Sequence, residues 1–334
     1  MRRFSASGLI WVLTIVLPVV SLLSMTVGTV SISAGDLFGA ASNQVNTILF
    51  DIRLPRILLA ICVGAVLSST GAVMQGLFRN SLADPSLIGV SSGASVGASL
   101  MIVAAGGLIK TGALLGLSLV AVGAFIGGFV ATLLVYRLAT SDIGTSVTTM
   151  LLAGIAIAAI AGALNSLLTY FSDNDMLRQI SLWQMGNLSG ASWTKVAIMA
   201  AVALLLLSLF PRDSHGLNAL LLGESEARHL GVDVQAVKRR LILLTALGVG
   251  VCVALAGLVG FVGLIIPHIV RLAIGPDHRW LIPASALAGA TLLVIADSLA
   301  RIVVVPAELP TGILTALLGA PFFVALLLQQ RKQV

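Results

Sequence analysis

The sequence predicts an all-α, polytopic membrane protein with about ten transmembrane helices. Three observations carry that reading. Hydrophobic residues make up 58% of the 334 positions and charged residues only 10%, with a mean hydropathy of +1.09. Apolar runs of about twenty residues recur, each long enough at about 1.5 Å per residue to cross a hydrocarbon core about 30 Å thick. One long polar stretch, Pro211 to Arg240, interrupts them and holds nine of the 32 charged residues, together with His215 and His229. A transmembrane barrel would instead show alternating segments of about ten residues.

The elements follow in order. Span one covers about 9–30. Arg2-Arg3 precedes it as in a signal peptide, but the run is long and lacks an A-x-A cleavage site, so it reads as a retained span. A polar segment with Asp36, Asn43, Gln44, Asn46 and Asp51 leads to Arg53-Leu54-Pro55-Arg56. Pro55 suits a helix start, where its missing N–H is harmless, and span two runs over 57–76. Residues 78–89 form a loop or re-entrant turn before span three at 89–107. A short loop at 106–112 precedes span four at 113–136. The glycine spacings Gly93-x-x-x-Gly97 and Gly123-x-x-x-Gly127 suit close helix packing. A polar loop at 137–146 leads to span five at 147–171. Segment 172–192 is too polar to cross, and Leu177, Ile180 and Trp183 at helical spacing predict a short interfacial helix. Span six is 193–210.

Beyond the polar stretch, residues 241–274 are too many for one straight span and few for two. Gly257, Gly260, Gly263 and Pro267 favour two short spans meeting near Gly260 to Gly263. A loop at 275–280, span nine at 281–303 and span ten at 310–328 complete a single transmembrane domain covering 1–334.

With ten spans both termini share one side. That side collects thirteen of the nineteen basic residues, the other only Arg53, Arg56, Lys110, Arg178, Lys195 and Arg301. The positive-inside rule therefore puts the termini and the 211–240 stretch in the cytoplasm. The net charge of +6 is scattered over span ends and forms no nucleic-acid patch. Cys62 and Cys252 are isolated in apolar runs and imply neither a disulfide framework nor a metal motif.

Within the polar stretch glycines mark the divisions. Leu217 to Leu222 reads as one short helix broken by Gly223. Glu224 to Leu230 reads as a second, with Glu224 and Arg228 at i,i+4. Gly231 ends it, and Asp233 is placed to cap the following span. Two short helices with apolar and charged faces suit a partner protein's groove; an ordinary solvated loop is the other reading.

NALLLGESEARHLGV, then ALAGLVGFVGLIIPHIVRLAIGPDHR, resembles the permease subunits of ABC importers for iron-siderophore, haem and cobalamin (the FecCD type). RLPRILLAICVGAVLSSTGAVMQGLFRNSLADPSLIGVSSGASVG, ADSLAR and AELPTGILTALLGAPFF extend the resemblance over about 45–330. It implies a cobalamin-permease-like fold of ten helices, a homodimer with the path between subunits, and a bacterial inner-membrane location. It also implies two cytoplasmic ATPase subunits, seated on short coupling helices at Asn218 to Leu230. The residues concerned are Asn218, Leu221, Gly223, Glu224, Ala227, Arg228, His229 and Leu230. ATP and magnesium would bind that partner, because this chain lacks G-x-x-x-x-G-K-[ST] and is expected to hold no cofactor.

By the same resemblance Arg53, Arg56 and Arg301 dock the acidic residues of a periplasmic substrate-binding protein. Flexible cations at a rim would steer such a partner, although arginines snorkelling to headgroups would look alike. Asn80, Ser81 and Leu82, with Ser146, Val147, Thr148 and Thr149, match the cytoplasmic gate; helix-capping hydroxyls would look the same. Asp297 and Arg301 are spaced to pair. His215, His229, His268 and His278 all fall toward the cytoplasmic side, which argues against haem ligation or a metal site. The expected cargo is haem, with a ferric siderophore and then cobalamin as alternatives. An ion-coupled secondary transporter would need acidic residues at mid-span, and no H-E-x-x-H or mid-span serine/histidine pair supports an intramembrane enzyme. Glu224→Arg or Gly223→Pro is expected to uncouple hydrolysis from transport.

Overall fold

The computed structural model of the chain describes residues 5–28, 30, 43–104, 113–142 and 144–331. The 106–112 loop, Asp36, and four of the cations in the charge count (Arg2, Arg3, Lys110 and Lys332) lie outside the described residues. The described residues are helical nearly throughout. Helix α1 is Ala6–Thr26. Short turns Asn43–Thr47 and Ile48–Arg53 lead into α2, Leu54–Leu77. Then come α3 (Val90–Ala104), α4 (Ala113–Ala139), α5 (Val147–Tyr170), α6 (Asn174–Gln184) and α7 (Trp193–Leu209). The polar stretch holds α8 (Ser214–Leu220) and α9 (Glu224–His229), and α10 (Val234–Ala256), α11 (Val262–Ile274), α12 (His278–Ala300) and α13 (Thr311–Arg331) follow. A two-stranded antiparallel ribbon, β1 (Thr140–Ser141) and β2 (Gly144–Thr145), precedes α5.

Among the described residues seven helices are long and apolar enough to cross a membrane, and shorter apolar helices stand at Val90–Ala104, Val262–Ile274 and Thr311–Ala325. These ten match the ten predicted spans. The short helix expected within 172–192 also forms, as α6, with Ile180 buried and Leu177 and Trp183 half-buried beside it.

Residues 241–274 do split, close to the expected Gly260 to Gly263, but the first of the two helices is not short. The first helix, α10, begins back at Val234 and is of full length; it stops at Gly257, leaving a short α11 after Phe261. The physical reason is contact. A side chain at position 257 would come within 2.4 Å of the Trp183 carbonyl oxygen, and Gly257 takes φ +70°. That conformation is cheap only for glycine.

The described chain forms two compact units. The first comprises residues 1–72, 187–214 and 259–334. In it α12 is the buried centre, covered by α1, α2, α11 and α13. Ser298 on α12 donates to Ser24 on α1 at 2.7 Å. The second comprises residues 73–186 and 215–258. Its framework is the α3–α4 crossing, where the two predicted glycine motifs face each other. A Cβ at Gly93 would approach the Gly127 carbonyl oxygen to 2.3 Å, and one at Gly97 the Gly123 carbonyl oxygen to 2.0 Å. Only bare backbone fits that approach. Ser95 on α3 then ties in α5 and α6, accepting from Asn165 at 2.9 Å and Gln184 at 3.3 Å.

Candidate functional site

The 211–240 stretch folds as two short helices set by glycine. Helix α8 buries Leu217 and Leu220. Its exit closes at Gly223, whose N–H reaches the Leu220 carbonyl at 3.1 Å with φ +124°. Helix α9 ends in a Schellman motif: Val232 N–H bonds the Ala227 carbonyl, Gly231 N–H bonds the Arg228 carbonyl, and Gly231 has φ +80°. Asp233 caps α10 as expected, accepting from the Ala236 N–H at 3.0 Å.

This geometry sorts the residues singled out here. Ala227 is buried beneath α9 and Asn218 is half-buried. Leu221, Arg228, His229 and Leu230 are exposed. Leu222, which the sequence pattern did not single out, is 69% exposed, and Leu230 is 63% exposed. Leucines this open beside charged side chains form a surface that an apolar partner groove would cover.

Glu224 behaves differently. Its Arg228 pair is long, 3.9 Å, on an exposed arginine. Its close partner is Lys238 Nζ at 2.6 Å. Lys238 is only 1% exposed and also donates to the Thr145 carbonyl at 2.8 Å. One turn earlier, Gln235 Oε1 accepts from the Thr145 N–H at 3.0 Å. The start of α10 thus clamps the ribbon immediately before Ser146 to the start of α9. Glu224→Arg would set a second cation against buried Lys238, so it perturbs folding as well as any docking.

The segments expected to form a gate are also in this unit. Asn80 makes a local turn, its Oδ1 accepting from the Leu82 N–H at 2.9 Å, while Ser81 and Leu82 are half-buried. Ser146 caps α5, accepting from the Thr149 N–H at 3.3 Å and the Thr149 hydroxyl at 3.0 Å. Val147 is half-buried and Thr148 exposed. The Ser146 hydroxyl therefore has a capping role whatever else it does, and the Thr149 hydroxyl is bonded to it. Close packing fixes their surroundings: a Cβ at Gly154 on α5 would meet the Leu87 carbonyl oxygen at 1.9 Å.

Arg53, Arg56 and Arg301 are brought together in the first unit. They line one small cleft of about 140 Å³ with Gly28, Val30 and Glu308. They are not the loose cations expected: their exposures are 5, 4 and 3%. Arg56 Nε donates to both oxygens of Asp297 at 2.9 and 3.0 Å, and its terminal nitrogen meets Glu308 at 2.6 Å. The foreseen Arg301–Asp297 pair exists at 3.4 Å, but Arg56 is the nearer partner. Thr311 donates to Asp297 at 3.1 Å. Arg301 also donates to the Val27 carbonyl at 2.9 Å, and Arg53 to the carbonyls of Met25 and Val30. Three guanidinium groups against two carboxylates leave this cleft net positive. Glu308 is part of it.

Of the histidines, His215 and His229 are exposed, while His268 and His278 are buried. His268 stands edge-on to Phe322 with ring centres 6.4 Å apart. Among the described residues no three His, Cys, Asp or Glu side chains converge as metal ligands would.

Comparison with known proteins brings these features together. The FecCD transport family matches residues 15–329. The hemin transport system permease protein of Yersinia pestis is 46% identical over 322 residues, covering 96% of this chain and 95% of that protein. The vitamin B12 import system permease protein of Salmonella typhi is 42% identical over 324 residues, 96% of each chain. A solved structure described as an inward-facing metal-chelate type ABC transporter superposes with a TM-score of 0.86 at 34% identity, covering 97% of this chain and 99% of that one.

Proposed function

The chain belongs to the FecCD transport family, and on that premise we propose that it carries haem inward across the bacterial inner membrane. It is a multi-pass ABC permease, a transport subunit and not an enzyme. Such a permease works with an ATPase and a substrate-binding protein. The observation that carries the choice of cargo is the 46% identity to a hemin permease over nearly the whole of both chains, against 42% for a vitamin B12 permease.

In this reading two copies of the chain enclose the path, and each seats one ATPase on α8 and α9. The exposed Leu221, Leu222 and Leu230 enter the partner's groove, and Arg228 and His229 flank them. Gly223 and Gly231 shape the surface rather than touch the partner. ATP and magnesium bind the ATPase alone. The net-positive cleft of Arg53, Arg56 and Arg301 receives an acidic side chain of the binding protein. Because these arginines are buried and fixed, they set register more than they steer. Both termini lie in the cytoplasm, as the charge bias of the loops supports. Asn80 to Leu82 and Ser146 to Thr149 close the path on that side.

A ferric siderophore or cobalamin is the alternative cargo. Ion-coupled transport is disfavoured by Asp297, the acid inside α12, which is neutralised by two arginines. The test is uptake into proteoliposomes holding the permease with its ATPase and binding protein. Haem is expected to accumulate when ATP is inside, and to do so regardless of a protonophore. Accumulation of a siderophore or cobalamin in preference to haem overturns the cargo; ATP-independent uptake collapsed by a protonophore overturns the mechanism.

A further inference from the structure

The first unit contains an apolar cavity of about 370 Å³ that the transport reading does not use. Its walls come from α1, α2, α7 and α12, and include Leu17, Ile61, Leu207, Pro211, Pro283 and Leu287. Ile282 and Ala290 both line it, so along α12 it extends about 12 Å. One leaflet of a hydrocarbon core is about 15 Å deep. The cavity therefore has the length and polarity of an acyl-chain slot rather than of a haem or a polar chelate. It is partly walled by α1, whose other faces expose Trp11, Ile15, Leu22 and Leu23. A helix so apolar and so open is in lipid.

One end of the slot is basic. Pro211 on its wall is followed by exposed Arg212, and one turn before Pro283 stand exposed Arg279 and Trp280. Of the neighbouring carboxylates, Asp213 is buried, and half-buried Asp277 caps α12 by accepting from the Arg279 N–H at 3.0 Å. Tryptophan and arginine at the end of an apolar slot mark headgroup depth. From this juxtaposition we infer that the cavity holds one acyl chain of an anionic bilayer phospholipid, with its headgroup between Arg212 and Arg279.

The charge term makes the inference quantitative. Two arginines near an anionic headgroup favour it over a zwitterionic one by about ten- to thirtyfold. The test is native mass spectrometry of the full-length chain in detergent, titrated with phosphatidylglycerol and with phosphatidylcholine. One phosphatidylglycerol per chain is expected to bind at least tenfold more tightly. The surface double variant R212Q/R279Q is expected to lose that preference, and Leu207→Trp, which fills the slot, to lose both lipids. Leu17→Trp fills the same space from α1 should the first variant fold poorly. An unchanged preference in R212Q/R279Q overturns the inference, as does lipid binding undiminished in both filled variants. Disulfide cross-linking of two Leu207→Cys chains also overturns it, because a second copy then covers the cavity.

Discussion

Replacing Lys238 with methionine separates two roles that the start of α10 combines. Methionine keeps most of the side-chain volume and removes the ammonium. Two contacts go with it, the 2.6 Å ion pair to Glu224 and the 2.8 Å bond to the Thr145 carbonyl. Hydrogen bonds involving a charged group are worth about 1.5–3 kcal/mol each. Against that, a buried ammonium carries a desolvation penalty of several kcal/mol that methionine escapes. Glu224 remains about one-third exposed, so water can solvate the carboxylate it leaves behind. The two terms nearly cancel, and global stability is expected to change by no more than about 2 kcal/mol. What does not cancel is the link itself. Once it is gone, Gln235 still holds the β1–β2 ribbon to α10, but the side-chain link that ran through Lys238 to α9 is lost.

The local opening of 144–149 and of 224–230 is therefore expected to rise by about ten- to a hundredfold, the equivalent of one lost charge-assisted bond. Hydrogen–deuterium exchange of those amides reads it directly. A double-mutant cycle with Glu224→Gln is expected to give a coupling of at least about 1 kcal/mol. In proteoliposomes Lys238→Met is expected to hydrolyse ATP at near the parent rate while moving less cargo per ATP. If exchange in both segments is unchanged and cargo per ATP stays at the parent value, the clamp has no mechanical role.

Three further predictions concern other parts of the chain. Leu222→Ser with Leu230→Ser removes exposed apolar area, so affinity for the ATPase is expected to fall at least about tenfold in a pull-down titration, with the melting temperature unchanged. Gly97→Val drives methyl groups into the Gly123 carbonyl and is expected to lower stability by about 1–3 kcal/mol or more, read as a drop in the detergent melting curve. Arg56→Gln leaves Asp297 buried with a weaker set of partners and is expected to cost about 3–5 kcal/mol. Arg53→Gln, which breaks no ion pair among the described residues, is expected to cost less in the same thermal assay.

What the sequence made legible was local. Uninterrupted apolar runs need no partner to declare themselves, and so the ten spans were countable. A cap is also local, and Asp233 could be placed because its acceptor and the α10 amides are three residues apart. The same locality explains the misreadings. Arg56 looked like a free rim cation because Asp297 and Glu308 lie 241 and 252 positions away. Asp297 does pair with Arg301, four residues on, but its nearer partner, from α2, was out of sight. Lys238 counted as one of several cations in a polar loop, yet it is buried to the last percent between a carboxylate and a backbone carbonyl. Composition cannot distinguish an arginine or lysine in water from one that has left it, since the difference lies wholly in the partner. The Gly257 break shows the converse. Four candidate interruptions were visible in 241–274, and the one that stopped the helix did so because Trp183, from a distant helix, occupies the space that a Cβ would need. For a chain of this composition, then, the places where sequence reading fails are the places where distant segments meet. Here these include the charged cleft of α2, α12 and α13 and the clamp at the start of α10, the two features on which the proposed partners would act.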